Sequence, residues 1–130
     1  MIRALKITMI VYAAIGLLFG LAYIFVPRQL AAMFSHEIGP ESVLTLAAAF
    51  GVSMVAACIF LIIAARDPLK YIIWVKYGIV FAILSFAAYL YSFILGHITL
   101  GTALTPIILH AVFAAGLLAF YPRRAARGGE

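Results

Sequence analysis

The chain has 130 residues, of which 68% are hydrophobic and 10% charged, with a mean hydropathy of +1.22 and a formal net charge of +5. This lies far outside the composition of water-soluble domains and excludes a conventional soluble enzyme, leaving an integral membrane protein. A helix needs about 20 consecutive apolar residues to cross hydrocarbon, whereas a barrel strand needs only about 10 with alternating polarity, so long unbroken apolar runs predict an all-α fold and exclude a β-barrel.

Four such runs are present: Ile7–Val26, Val43–Ala65, Tyr77–Leu95 and Ile98–Tyr121. The third reaches back to Tyr71 if Lys76 is tolerated at the membrane surface, its charge snorkelling into water. The expectation is one domain, residues 1–130, with spans at about 7–26, 43–65, 71–95 and 98–121. Little chain remains outside the spans, so no separate soluble domain is expected.

Arg3 and Lys6 precede the first run like the basic region of a signal peptide. Its apolar core is too long for that role and no small-x-small cleavage site follows, so it is read as a retained first helix. Gly16-Leu17-Leu18-Phe19-Gly20 is a GxxxG pattern, and the second run carries two comparable smooth stripes, Ala47/Gly51/Val55 and Ala49/Ser53/Ala57. Lipid supplies no hydrophobic drive for helix association, so such small residues are where close approach is expected. Gly16, Gly20 and Gly51 are accordingly expected to pack helix one on helix two, and the same stripes are available to a homo-oligomer.

Between these runs, Pro27 to Phe34 reads as a short amphipathic turn with Leu30, Met33 and Phe34 on one side, lying on the outer membrane surface or folded over the bundle as a lid. Gly39-Pro40-Glu41 starts the second helix, with Glu41 well placed against the helix dipole. Asp67-Pro68 is expected to start the third, aspartate capping and proline first in the helix. Tyr71, Trp74 and Tyr77 are expected at the cytoplasmic interface and Tyr23, Tyr89 and Tyr91 at the outer one. Gly96–His97 forms the tight connection to the last run.

With four spans, Arg3, Lys6, Arg66, Lys70, Lys76, Arg123, Arg124 and Arg127 fall on one side and only Arg28 on the other. The positive-inside rule then puts both termini in the cytoplasm. The sequence pI of 9.7 reflects this sorting rather than nucleic-acid binding, and the tail arginines are available to anionic headgroups.

The chemistry centres on His110, a strongly polar group near the middle of the last span. An ionisable group at that depth is costly and needs a partner or a role. Counting inward from the ends of the runs puts Ser53, Ser85 and His110 at one level. Thr102, Pro106 and His110 are four apart on one helix face, and Pro106, which has no N–H to donate, frees the carbonyl of Thr102. One reading makes His110 a neutral structural group bonded to a serine or backbone carbonyl of a neighbouring helix. Another makes it the hydrogen-bonding or proton-relaying member of a pocket for a quinone-like or other lipophilic molecule, with Thr102, Ser85 and Ser53 as further lining. Metal or haem ligation is a third, for which His36 and His97 lie too far away, at the outer surface.

Other inventories are thin. His36, Glu37, Glu41 and His97 share the outer loops but match no ligand spacing and read as solvated residues, so no metal is expected. A single intramembrane cysteine, Cys58, offers neither a disulfide nor a CxxC pair and excludes the thiol chemistry of vitamin K epoxide reductases. Asp67 at the cytoplasmic surface leaves no Ser/His/Asp triad, and a first span without an acid excludes the small four-helix drug exporters.

The helix order, the turn Val26-Pro27-Arg28-Gln29-Leu30 and the turn Ala64-Ala65-Arg66-Asp67-Pro68 resemble the DoxX-like small four-helix bacterial membrane proteins over most of the chain. The resemblance implies an inner-membrane bundle linked to respiratory or redox membranes, and carries over no catalytic residue. The expected function is non-catalytic: an accessory subunit of a larger membrane assembly or a binder of a lipophilic small molecule, in contact with the lipid bilayer. The alternative is a redox- or quinone-linked enzyme component using His110. No cofactor is required by the residues. Reporter fusions at Gly96 and after Arg127 are expected to read opposite sides of the membrane; matching sides would mean that the spans are miscounted.

Overall fold

The computed structural model describes residues 1–33 and 41–122, with Glu41 and Ser42 described by their backbone alone. Among these residues the protein is all-helical: α1 Ile2–Phe25, α2 Pro27–Met33, α3 Glu41–Arg66, α4 Ile72–Ile94 and α5 Leu100–Ala119. Four of the helices, all but α2, are long and apolar enough to cross a bilayer. Phe34, His36, Glu37, Gly39, Pro40, Arg123, Arg124 and Arg127 lie outside the described residues.

The breaks between helices follow from local chemistry. Val26 is held off the helical region by the proline after it, and Pro27 opens α2, where its missing N–H costs nothing. At the far end of α4, Gly96 adopts φ +73°, with Gly96 N–H donating to Phe93 O and His97 N–H to Ser92 O. This is a Schellman motif, and it needs glycine because that backbone conformation strains any residue with a Cβ. Thr99 then caps α5, its Oγ1 accepting from Thr102 N–H at 3.4 Å and lying 3.0 Å from Thr102 Oγ1.

The junction of α3 and α4 departs from expectation. Pro68 is buried and lies in a turn rather than at the first position of α4, which starts at Ile72. The Asp67 side chain does cap, but it caps the turn: Oδ1 accepts from Lys70 N–H at 3.2 Å, and the Asp67 carbonyl accepts from Tyr71 N–H at 3.1 Å. One closed turn forms and ends, and the helix restarts at Tyr71 without a side-chain cap. On α2, Leu30 is buried against α1 and α3 while Met33 is 79% exposed, so the two do not share a side. A helix this short offers only a narrow strip to the angle between its neighbours.

Packing divides the molecule into two antiparallel pairs, α1 with α3 and α4 with α5, which touch each other much less. The α1–α3 contact is made at glycine. A Cβ on Gly20 would stand 2.8 Å from Val55 Cγ2 and 3.1 Å from the Gly51 carbonyl oxygen, and one on Gly51 would stand 2.6 Å from the Gly20 carbonyl oxygen. Gly16 faces the Cys58 sulfur. Of the two stripes on α3, the one through Gly51 and Val55 meets α1, while Ala49 and Ser53 are exposed.

The pairs close on one another at the end that carries the termini. Leu5, Met9, Ala64, Val75 and Leu117 are fully buried there. Gly78 faces Leu61 and Leu117, Gly116 faces Thr8, and Lys6 Nζ donates to the Arg66 carbonyl at 2.7 Å across the end of α3. A lysine on these last carbonyls also suits the negative end of the helix dipole. Toward the α2 end the described part of α4 has no buried residue beyond Ala82, and the pairs part.

Gly20→Leu is expected to lower stability by about 1–3 kcal/mol or more, since the obstructing atoms include backbone that cannot turn aside. Leu18→Ala, at a position 70% exposed on the same helix, should change the melting temperature in detergent little. Equal tolerance of both would place the Gly20 face on lipid.

Candidate functional site

Where the pairs part, a cavity of about 130 Å³ lies between them. Its walls come from one face of each long helix. On α1 they include Tyr12, Ile15, Phe19 and Tyr23; on α3 Phe50, Met54 and Cys58; on α5 Thr102, Thr105, Pro106 and His110. The α4 wall is Tyr77, Phe81, Ser85 and Tyr89, four apart and therefore on one helix face. None of the lining residues is Lys, Arg, Asp or Glu, and none belongs to the described part of α2.

His110 sits on this wall, half-buried. Its Nδ1 lies 2.9 Å from the Tyr12 hydroxyl, a contact that joins α5 to α1 and hence one helix pair to the other. The partner expected from depth matching was Ser53 or Ser85, and the structure corrects this. Ser53 is exposed and its hydroxyl donates back to the Ala49 carbonyl at 3.0 Å, a local bond that competes with long-range partners. Ser85 lines the cavity without bonding to His110. The depth estimate went astray at the first helix, whose apolar run begins at Ile7 while the helix itself begins at Ile2. Moving the helix start by more than a turn brings Tyr12 level with His110.

Rings hold the imidazole on several sides. Tyr89 stacks on it with centroids 5.9 Å apart and planes at 20°. Phe81 and Tyr12 meet it edge-on at 6.3 and 6.0 Å. Tyr12 is itself fixed by stacking on Phe113 at 4.5 Å, and such aromatic pairs are worth about 0.5–1.5 kcal/mol beyond their buried area.

Tyr89 and Tyr23, expected in the outer aromatic belt, face inward. Both line the cavity, and Tyr23 packs edge-on against Phe50 at 5.3 Å. Tyr91, two residues along the same helix, is 63% exposed and faces outward. Counting by fours from Tyr77 separates Tyr89 from Tyr91, a signal that grouping tyrosines by distance from the helix end does not use.

Of the other sequence candidates, Thr102 is buried, lines the cavity and contributes to the α5 cap. Thr102, Pro106 and His110 all face the cavity. Gly16 lines it as well, while Gly20 and Gly51 lie in the α1–α3 contact beside it. His97 is exposed in the α4–α5 turn, and the outer-loop group it was considered with, His36 and Glu37, lies outside the described residues. Comparison of the chain with protein-family profiles, curated proteins and solved structures gave no match.

The arrangement is a ring-lined slot whose walls carry several hydroxyls, among them those of Tyr23, Ser85, Tyr89 and Thr105, and one tyrosine–histidine pair. Removing one member strands the other: His110→Leu leaves the buried Tyr12 hydroxyl without its partner, which costs about 1–3 kcal/mol. In a Tyr12→Phe background the same change should cost less. A double-mutant cycle in reversible detergent unfolding is expected to show a coupling of about 0.6–1.7 kcal/mol, the range of hydrogen bonds between membrane helices. Strict additivity would mean that the two side chains do not interact.

Proposed function

We propose that this protein is an integral membrane protein of the bacterial inner membrane, with both termini cytoplasmic, that binds a lipophilic small molecule between its two helix pairs. The observation that carries the reading is the Tyr12–His110 pair on the wall of an uncharged, aromatic cavity. Small-molecule sites combine mostly apolar walls with a few placed polar groups, and polar groups at this depth in a membrane protein mark ligand or proton paths. Binding of this kind suits an accessory subunit of a larger membrane assembly, and requires no catalysis by the chain. The DoxX-like affinity belongs to the same proposal, resting on the helix order and the Arg66-Asp67-Pro68 turn.

A second reading, a redox- or quinone-linked component, draws on the same pair, because a phenol hydrogen-bonded to an imidazole is a unit through which a proton can pass. The two readings part on what the protein carries. Protein extracted from membranes in polymer-bounded lipid discs should release, on solvent extraction, a lipophilic molecule enriched over bulk membrane lipid. Ser85→Phe, which fills the cavity from α4, should release far less while melting at a similar temperature. An absorbing or redox-active molecule in the extract favours the second reading. Extracts that are indistinguishable from bulk lipid in both proteins would retire the binding reading.

A further inference from the structure

The hydrogen-bond inventory of the cavity says what kind of molecule it takes. An uncharged tyrosine–histidine pair has two polar hydrogens, the phenolic O–H and one imidazole N–H. One is used in the 2.9 Å contact between Tyr12 and His110. The other is left over: on Nε2 if the phenol donates to Nδ1, or on the Tyr12 oxygen if Nδ1 donates to it. Neither side chain has a second hydrogen-bond partner among the described residues. Nε2, when it holds that hydrogen, is not sealed away, since no enclosed side-chain nitrogen or oxygen lacks a partner among the described residues, and both residues line the cavity.

Two further features narrow the occupant. With no Lys, Arg, Asp or Glu among the described lining residues, a carboxylate or phosphate would be buried against them without a counter-charge, at a cost that disfavours it. The volume of about 130 Å³ is close to the roughly 150 Å³ of an apolar cavity that accepts benzene, which is room for one six-membered ring and not for a fused polycycle. The walls supply faces and edges for such a ring in Phe19, Phe50, Phe81 and Tyr89.

We infer that the cavity selects a neutral lipophile with a single-ring head and a hydrogen-bond acceptor oxygen, which takes the spare donor of the Tyr12–His110 pair. This rests on the binding reading above and adds the selection rule.

A matched probe series tests it. Acetophenone, ethylbenzene and benzoate share a ring and a similar size, and differ in carrying an acceptor, none, or a charge. Titrated into the full-length protein in lipid nanodiscs, with occupancy followed by the amide NMR shifts of Gly78 and Ser85, acetophenone is expected to bind about 3–10-fold more tightly than ethylbenzene at equal mole fraction in the lipid. Its carbonyl stretch should move to lower frequency on binding. In the Tyr12→Phe/His110→Phe protein, which keeps rings and loses donors, the two probes should bind alike with the stretch unmoved. If that variant does not fold, Ser85→Ala, Tyr89→Phe and Thr105→Val, which leave the pair intact, should keep the infrared shift; its loss in any of them assigns the donor to that hydroxyl and overturns the assignment to the pair. Equal binding of acetophenone and ethylbenzene with an unmoved carbonyl overturns the acceptor rule and leaves cavity binding standing; preference for benzoate overturns the neutrality rule. If no probe moves the cavity amides, the binding reading itself fails.

Discussion

Where Gly20 and Gly51 face each other, the backbones of α1 and α3 approach until a single added carbon would meet a carbonyl oxygen. In the proposed bilayer setting, helices gain nothing by hiding apolar surface from lipid, so such close approach would be the main source of attraction between them. It makes α1 and α3 one unit, while the short glycine-dependent turn at Gly96 makes α4 and α5 another. The units approach through small residues near the termini, at Gly78 against Leu61 and Gly116 against Thr8, and elsewhere touch through side chains such as Tyr12 and His110. Away from those points bulky rings keep them apart. The cavity is thus a consequence of where the glycines are: tight within pairs, tight between pairs at one end, open at the other.

Into that opening the chain places its most costly polar group. His110 is kept there by a contact from the opposite unit and by rings on several sides, so the pair both ties the units together and places an imidazole on the cavity wall. A purely structural histidine would do as well at a sealed position, such as the level of Leu117 and Leu5. Its half-buried place on the cavity wall is what a binding role requires and a purely structural role does not.

Much of the fold was legible in the residues. Uninterrupted apolar length marks the four long helices, and the GxxxG pattern names Gly16 and Gly20, which meet α3. The level of Tyr12 is not legible when apolar runs serve as rulers. The helix α1 extends through Arg3 and Lys6 because a charged side chain at a helix end reaches water without breaking the backbone ladder. The run is therefore shorter than the helix, and Tyr12 went unnoticed as the partner of His110. Ser53 and Ser85 were favoured because only polarity and depth were weighed; which face each residue occupies decides the matter, and Ser53 is exposed. The turn at Asp67-Pro68 was read as a helix start because a cap residue and a proline also fit a single closed turn, and only the hydrogen bonds to Lys70 and Tyr71 separate the two.

The central claim is that Tyr12 and His110 meet across the two helix pairs. Magic-angle-spinning NMR of protein in lipid bilayers, with ¹⁵N-labelled histidine and ¹³C-labelled tyrosine, addresses it directly, since a phenol bonded to an imidazole puts the Tyr12 Cζ within dipolar reach of Nδ1. The account predicts a strong Cζ–Nδ1 contact from Tyr12 that is lost in Tyr12→Phe, leaving only the weaker contact of the stacked Tyr89 ring, that is lost entirely in His110→Leu, and that survives in Ser53→Ala and Ser85→Ala. A His110 signal coupled to lipid acyl protons with no tyrosine contact, or a contact untouched by Tyr12→Phe, would contradict it.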